Sequence, residues 1–124
     1  MRTSILIVSI LLLFAIDAVY LVGTKSITLD QIVLVQKFSP TMRIPAALIV
    51  YVFLFLGLYY FILKNHRSPF DAFLLGIVIY GVFEFTNYAI FKNWKLNMVL
   101  MDTLWGGALM ALTTYFTYKV ERIM

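Results

Sequence analysis

Four long apolar runs separated by short polar segments dominate the chain. The first extends from Ile5 to Gly23, broken by Ser9 and Asp17; the others extend from Ile44 to Leu63, Pro69 to Phe91 and Asn97 to Tyr118. Each is close to the roughly 20 residues a helix needs to cross the hydrocarbon core of a bilayer. The pattern therefore predicts spanning helices over 4–23, 44–63, 69–91 and 97–118. Pro45 falls in the first turn of the second run, where its missing N–H does no harm. Ser68-Pro69-Phe70-Asp71 is a start signal for the third: a serine cap, proline at the first helical position and an acid near the positive end of the helix dipole. Asn97 is the expected cap of the fourth. The short joins Lys64–Ser68 and Lys92–Leu96 make the helices on either side of each antiparallel neighbours.

The first join, Thr24 to Arg43, is longer. Within it Thr28-x-x-Gln31 has the form of a capping box; Ile32, Val33, Val35 and Phe38 follow, and Ser39-Pro40 stops the pattern. This predicts a short interfacial helix over about 29–38. An apolar loop packed on the bundle is the alternative. The first run could also be read as a signal peptide. It is longer than the usual apolar region, carries Asp17 and lacks a clean small-residue cleavage site, so it is expected to be a retained helix.

Composition agrees with a bilayer as solvent. Of 124 residues, 63% are apolar and 13% charged, with a mean hydropathy of +0.95; a soluble domain carries about 45–50% and about 25%. The expectation is an all-α polytopic membrane protein: a four-helix bundle with one interfacial helix, forming a single integral membrane domain over 1–124. Its first partner is then the lipid bilayer. The net charge of +4 is spread in ones and twos at the ends of apolar runs, so nucleic acid is not expected. Arg2, Lys64, Arg67, Lys119 and Arg122 fall on one side of the membrane, and Lys25, Lys37, Arg43, Lys92 and Lys95 on the other. Five against five gives no orientation by the positive-inside rule and leaves a dual-topology homodimer open.

The chain has no cysteine and one histidine, His66, in a loop, which excludes thiolate chemistry and argues against a multi-histidine metal site. Acid–base chemistry must come from carboxylates and tyrosines. Three of the six acids, Asp17, Glu84 and Asp102, lie inside spanning runs, where an ionised group costs at least about 2.5 kcal/mol. Asp17 lies eight residues before Lys25, Glu84 eight before Lys92 and Asp102 seven after Lys95, so all three sit roughly 10–12 Å below one surface. On the third run Tyr80, Gly81, Glu84, Asn87 and Tyr88 form one stripe, with Thr86 beside it, and this face is expected to point inward. On the fourth the stripe is Asp102, Gly106, Met110, Thr113 and Thr117, with Trp105 one turn from the acid. Tyr20 stands one turn after Asp17, and the second run offers aromatic surface such as Tyr51, Phe55 and Tyr59. Trp94, Tyr59, Tyr60, Tyr115 and Tyr118 are expected as interfacial anchors, and Met98, Met101 and Met110 as packing. No basic residue lies at the depth of the acids. The layer is therefore expected to hold a proton or a hard cation such as Mg²⁺, Ca²⁺ or Na⁺, and no organic cofactor.

Phe83-Glu84-Phe85-Thr86-Asn87, Lys92-x-Trp94, Asp102-Thr103-Leu104-Trp105-Gly106 and Asp17-Ala18-Val19-Tyr20-Leu21 resemble the small membrane proteins grouped as Domain of Unknown Function 2177. The likeness covers nearly the whole chain and is strongest over the third and fourth runs. The family pattern there is similar to Tyr-Asp-x-Thr-Asn, then Trp, then Asp-x-x-Trp-Gly. This chain has Phe83 for the tyrosine, Glu84 for the aspartate and Tyr20 where a tryptophan is usual. The resemblance implies a four-helix integral membrane protein and no particular activity.

Three function classes follow. In the first, Asp17, Glu84, Asn87 and Asp102 bind a proton or cation and couple it to transport, supported by Tyr20, Tyr80, Thr86, Trp105 and Gly106. A dual-topology multidrug exporter is related to it, but the acid expected early in the first helix comes late here. In the second, the acids are uncharged and only join helices, through Asn87, Thr103 or a tyrosine. The third, an enzyme acting on lipid, lacks a histidine cluster and a basic pair beside the acids to grip phosphate; the expectation leans against an enzyme.

Overall fold

The structure, a computed structural model, describes residues 1–37 and 43–124. Five helices follow in order: α1 (Thr3–Gly23), α2 (Lys25–Gln36), α3 (Ile44–Phe61), α4 (Pro69–Ile90) and α5 (Leu96–Ile123), with a 3₁₀ turn at Leu63–Asn65 between α3 and α4. There is no strand among the described residues. Among the described residues four segments are long and apolar enough to cross a membrane: α1, α3 with its 3₁₀ turn, α4 and α5.

Burial is inverted relative to a soluble protein. Val19, Val22, Phe53, Val78, Val82 and Ile90 are all exposed, as residues facing lipid tails must be. Each helix instead buries a narrow stripe. On α1 it is Ile5, Ser9, Leu13 and Asp17, in steps of four; on α4 it includes Ala72, Gly76 and Glu84. α5 is the most enclosed helix, burying Gly106, Gly107, Leu109, Met110 and three threonines among others. It packs along α4 on one side and α1 on the other.

The α4–α5 crossing is set by glycines. A methyl group at Gly76 would stand 2.0 Å from the carbonyl oxygen of Gly106, and one at Gly106 would meet the Tyr80 ring at 2.2 Å. Small residues let backbones approach where lipid supplies no hydrophobic drive for helix association. α3 is held more loosely. It buries only Leu54 and Leu58, which join Leu13, Leu109 and Met110 in the core. Apolar grooves flank it, about 370 Å³ against α1 and about 290 Å³ against α4.

Several boundaries differ from expectation. Ser68 caps α4, its hydroxyl accepting the Asp71 N–H at 3.1 Å. Asn97 is no cap: α5 begins at Leu96, and the Asn97 side chain accepts only from its neighbour Met98, at 2.9 Å. α5 also runs five residues beyond Tyr118, to Ile123. α3 stops at Phe61, where the chain tightens into the 3₁₀ turn. The interfacial helix exists but starts four residues early. The chain turns at Thr24 alone, whose hydroxyl donates to the Tyr20 carbonyl at 2.8 Å. Thr28 is therefore inside the helix, and no capping box forms. The expected Ser39-Pro40 stop, with Phe38, lies outside the described residues.

The end of the bundle carrying both chain termini is tied through His66. This residue adopts a left-handed conformation, φ 50°, that closes the 3₁₀ turn. Its Nε2 pairs with Glu121 at 2.9 Å, and its ring lies on Tyr118, 5.4 Å between centroids. The Tyr118 hydroxyl donates to the Arg67 carbonyl at 2.6 Å. Tyr118 thus does more than anchor at an interface: it fastens α5 to the α3–α4 turn.

Candidate functional site

Asp17, Glu84 and Asp102 come from α1, α4 and α5, and the first two are 6% and 1% exposed. Each acid meets an aromatic donor. Trp105 donates its indole N–H to Asp17 Oδ1 at 2.9 Å, and the Tyr51 hydroxyl donates to Asp17 Oδ2. Tyr20 donates to Asp102 Oδ1. Trp94 donates its indole N–H to Glu84 Oε2 at 2.9 Å. Glu84 and Asp102 stand on α4 and α5, the two most closely packed helices.

A sequence rule underlies the α1–α5 part. Asp17-x-x-Tyr20 and Asp102-x-x-Trp105 each place an acid and an aromatic donor one helical turn apart on one face. α1 and α5 are antiparallel, so each acid faces the other helix's donor and the bonds are exchanged reciprocally. The Tyr20 and Trp105 rings then stack, 4.5 Å between centroids and 5° from parallel. Such a contact is worth about 0.5–1.5 kcal/mol beyond the area buried. It fixes both donors at once. Tyr51 adds α3 to this clasp and is itself stacked on Phe14, 4.4 Å between centroids. Tyr80 of α4 presses its ring against Gly106 of α5, one turn from Asp102. All four spanning helices therefore meet at one layer.

Other residues of the expected stripe stand apart. Thr86 and Tyr88 are exposed. Asn87 is half-buried, and among the described residues its side chain makes no hydrogen bond to an acid. The stripe was drawn over one face of α4, but only the arc toward α5 is covered. The Thr103 hydroxyl is buried without a partner among the described residues, so it does not bridge the acids either.

Three contributors were not apparent from periodicity. Tyr51 belonged to a face described as aromatic surface, and Trp94 to an interfacial anchor. Gln31, expected in a capping box, is 2% exposed and bonds to the α4–α5 loop instead. A polar amide on the apolar side of a short helix was the available signal.

Among the described residues no group of three or more histidine or acidic side chains is disposed to hold a metal ion. Both Asp17 oxygens already accept from ring donors, whereas one oxygen each of Glu84 and Asp102 does.

No curated protein and no solved structure matches the chain. A family model described as a predicted membrane protein, DUF2177, matches residues 3–119, from the start of α1 into the last turns of α5. With four spanning helices the molecule is an integral, multi-pass membrane protein, and it belongs to the DUF2177 family.

Proposed function

We propose that the Glu84–Asp102 pair binds a proton within the bilayer, and that the protein couples its binding and release to transport. The observation that carries this reading is the burial of Glu84, 1% exposed, on the helix packed most closely against the one that bears Asp102. No lysine, arginine or histidine occurs within 44–63 or 69–91, in α1, or in α5 before Lys119. Two carboxylates about 4 Å apart repel by about 4 kcal/mol at an effective dielectric of 20. One charge-assisted hydrogen bond returns about 1.5–3 kcal/mol. A shared proton removes the repulsion and supplies the donor that a carboxyl–carboxyl hydrogen bond requires. Tyr20 and Trp94 stabilise the remaining charge.

The hydrogen bonding of all three acids of the layer to ring donors favours a second reading, in which the layer only joins helices. Infrared spectroscopy of the reconstituted protein separates the two when combined with vesicle assays. A protonated-carboxyl band should be present at neutral pH, disappear as pH rises, and be lost in Glu84→Gln and Asp102→Asn. Vesicles containing the protein should discharge an imposed pH gradient several-fold faster than empty ones, and both variants should return the rate to that of empty vesicles. Absence of the band overturns proton binding. A band without gradient discharge overturns coupling and leaves the joining role.

A further inference from the structure

A chain of bonds runs from the interfacial helix to the acid layer. Gln31 of α2 is almost wholly buried, 2% exposed. Its amide nitrogen donates to the Asn93 carbonyl at 3.0 Å, and its amide oxygen accepts the Lys95 backbone N–H at 3.0 Å. One side chain thus grips the residues on both sides of Trp94. Asn93 returns a weaker bond from its own amide to the Leu34 carbonyl, at 3.3 Å. Trp94, held between these points and packed against Phe91 at 6.0 Å between centroids, places its indole N–H on Glu84. A polar crevice of about 210 Å³, lined by Asp30, Gln31, Lys95 and Asn97 among others, runs between α2 and the start of α5 on the same side.

From this geometry we infer that α2 is a latch on the proton site. Gln31 is its positioning residue, and it keeps the Trp94 indole as the plug between the α2-side surface and Glu84. The inference rests on the proposed role of Glu84 only for its purpose; the mechanical claim stands on the Gln31 and Trp94 bonds. An amide clamping two backbone groups is sensitive to small changes. Removing it leaves the Asn93 carbonyl and the Lys95 N–H without the partner that holds the loop, while the fold itself is carried by the α4–α5 and α1–α5 packing. Opening the latch lets water from the crevice reach Glu84 without disturbing the Tyr20–Trp105 clasp.

The test uses the full chain in lipid nanodiscs with Trp105 kept, the Trp94 emission being read as the difference between each protein and the same protein carrying Trp94→Phe. In Gln31→Met, a substitution of similar volume, acrylamide should quench Trp94 at least threefold more strongly and its emission should shift to the red. A water-soluble carbodiimide with an amine should label Glu84 several-fold faster, read by peptide mass spectrometry. Asn93→Ala, which removes only the 3.3 Å bond, should show a smaller change in the same direction. Asp102 labelling and the thermal midpoint serve as controls for loss of fold. Unchanged quenching and labelling in Gln31→Met at an unchanged midpoint overturns the latch. If Gln31→Met lowers the midpoint, Asn93→Ala decides: quenching equal to that of the parent overturns the inference. Trp94 quenching does not depend on whether Glu84 carries a proton, so failure of the latch and failure of the proposed function are separately visible.

Discussion

Asp17 accepts from two rings at once, and this decides how its substitutions behave. Asparagine keeps an oxygen for the Trp105 N–H and presents an amide to the Tyr51 hydroxyl oxygen, so Asp17→Asn should fold with little loss of stability. Leucine is close in size but leaves the indole N–H and the phenol O–H unpaired, at about 1–3 kcal/mol each. Thermal unfolding in micelles should show a clear fall in midpoint for Asp17→Leu and a small one for Asp17→Asn. Equal losses would mean that the two donors find other partners. Glu84 and Asp102 respond differently, because their neutral forms keep an oxygen for the ring donor and remove only the protonic charge. Glu84→Gln should therefore unfold near the parent temperature while losing the carboxyl band.

Among the elements, the α4–α5 pair is fixed by the absence of side chains. A methyl group at Gly76 meets backbone 2.0 Å away and has no means of relief, whereas one at Gly107 meets the Phe73 ring at 2.7 Å, and a ring can turn. Overpacking of this kind costs about 1–3 kcal/mol. Gly76→Ala is expected at or above the top of that range and Gly107→Ala below it, a ranking that a paired unfolding measurement checks. The sequence made much of this legible. Ser68-Pro69 marks the start of α4, the lysines at the ends of the runs measure the depth of the acids, and Gly106 lies in the stripe expected on the fourth run. Bond partners were not legible. Tyr51 and Asp17 are 34 residues apart, and Gln31 and Asn93 are 62 apart; periodicity shows which face a residue occupies and says nothing of what waits opposite. The early start of α2 was hidden for a related reason, since Thr28 and Gln31 fit a local cap as well as the interior of a docked helix.

The molecule as a whole is unevenly fastened. α1, α4 and α5 form a compact trio, while α3 stands between two apolar grooves, with Tyr51 its polar tie to the acid layer and the His66 turn at its far end. Tyr51→Phe should raise amide hydrogen exchange in α3 several-fold and leave α4 and α5 unchanged; a uniform rise would show that α3 is not an independent unit. α5 and α3 also differ in reach. The 28 residues of α5 extend about 42 Å, beyond a hydrocarbon core of about 30 Å, while the 18 of α3 extend about 27 Å and need the 3₁₀ turn to complete the span. A long helix relieves such mismatch by tilting, a short one by thinning the lipid around it. The glycine crossing gives α5 a pivot near Gly106, one turn from Asp102, so a change of lipid chain length should turn the helix close to its acid. Reconstitution in lipids of graded thickness, read by the carboxyl band, is expected to show proton occupancy following the width of the membrane.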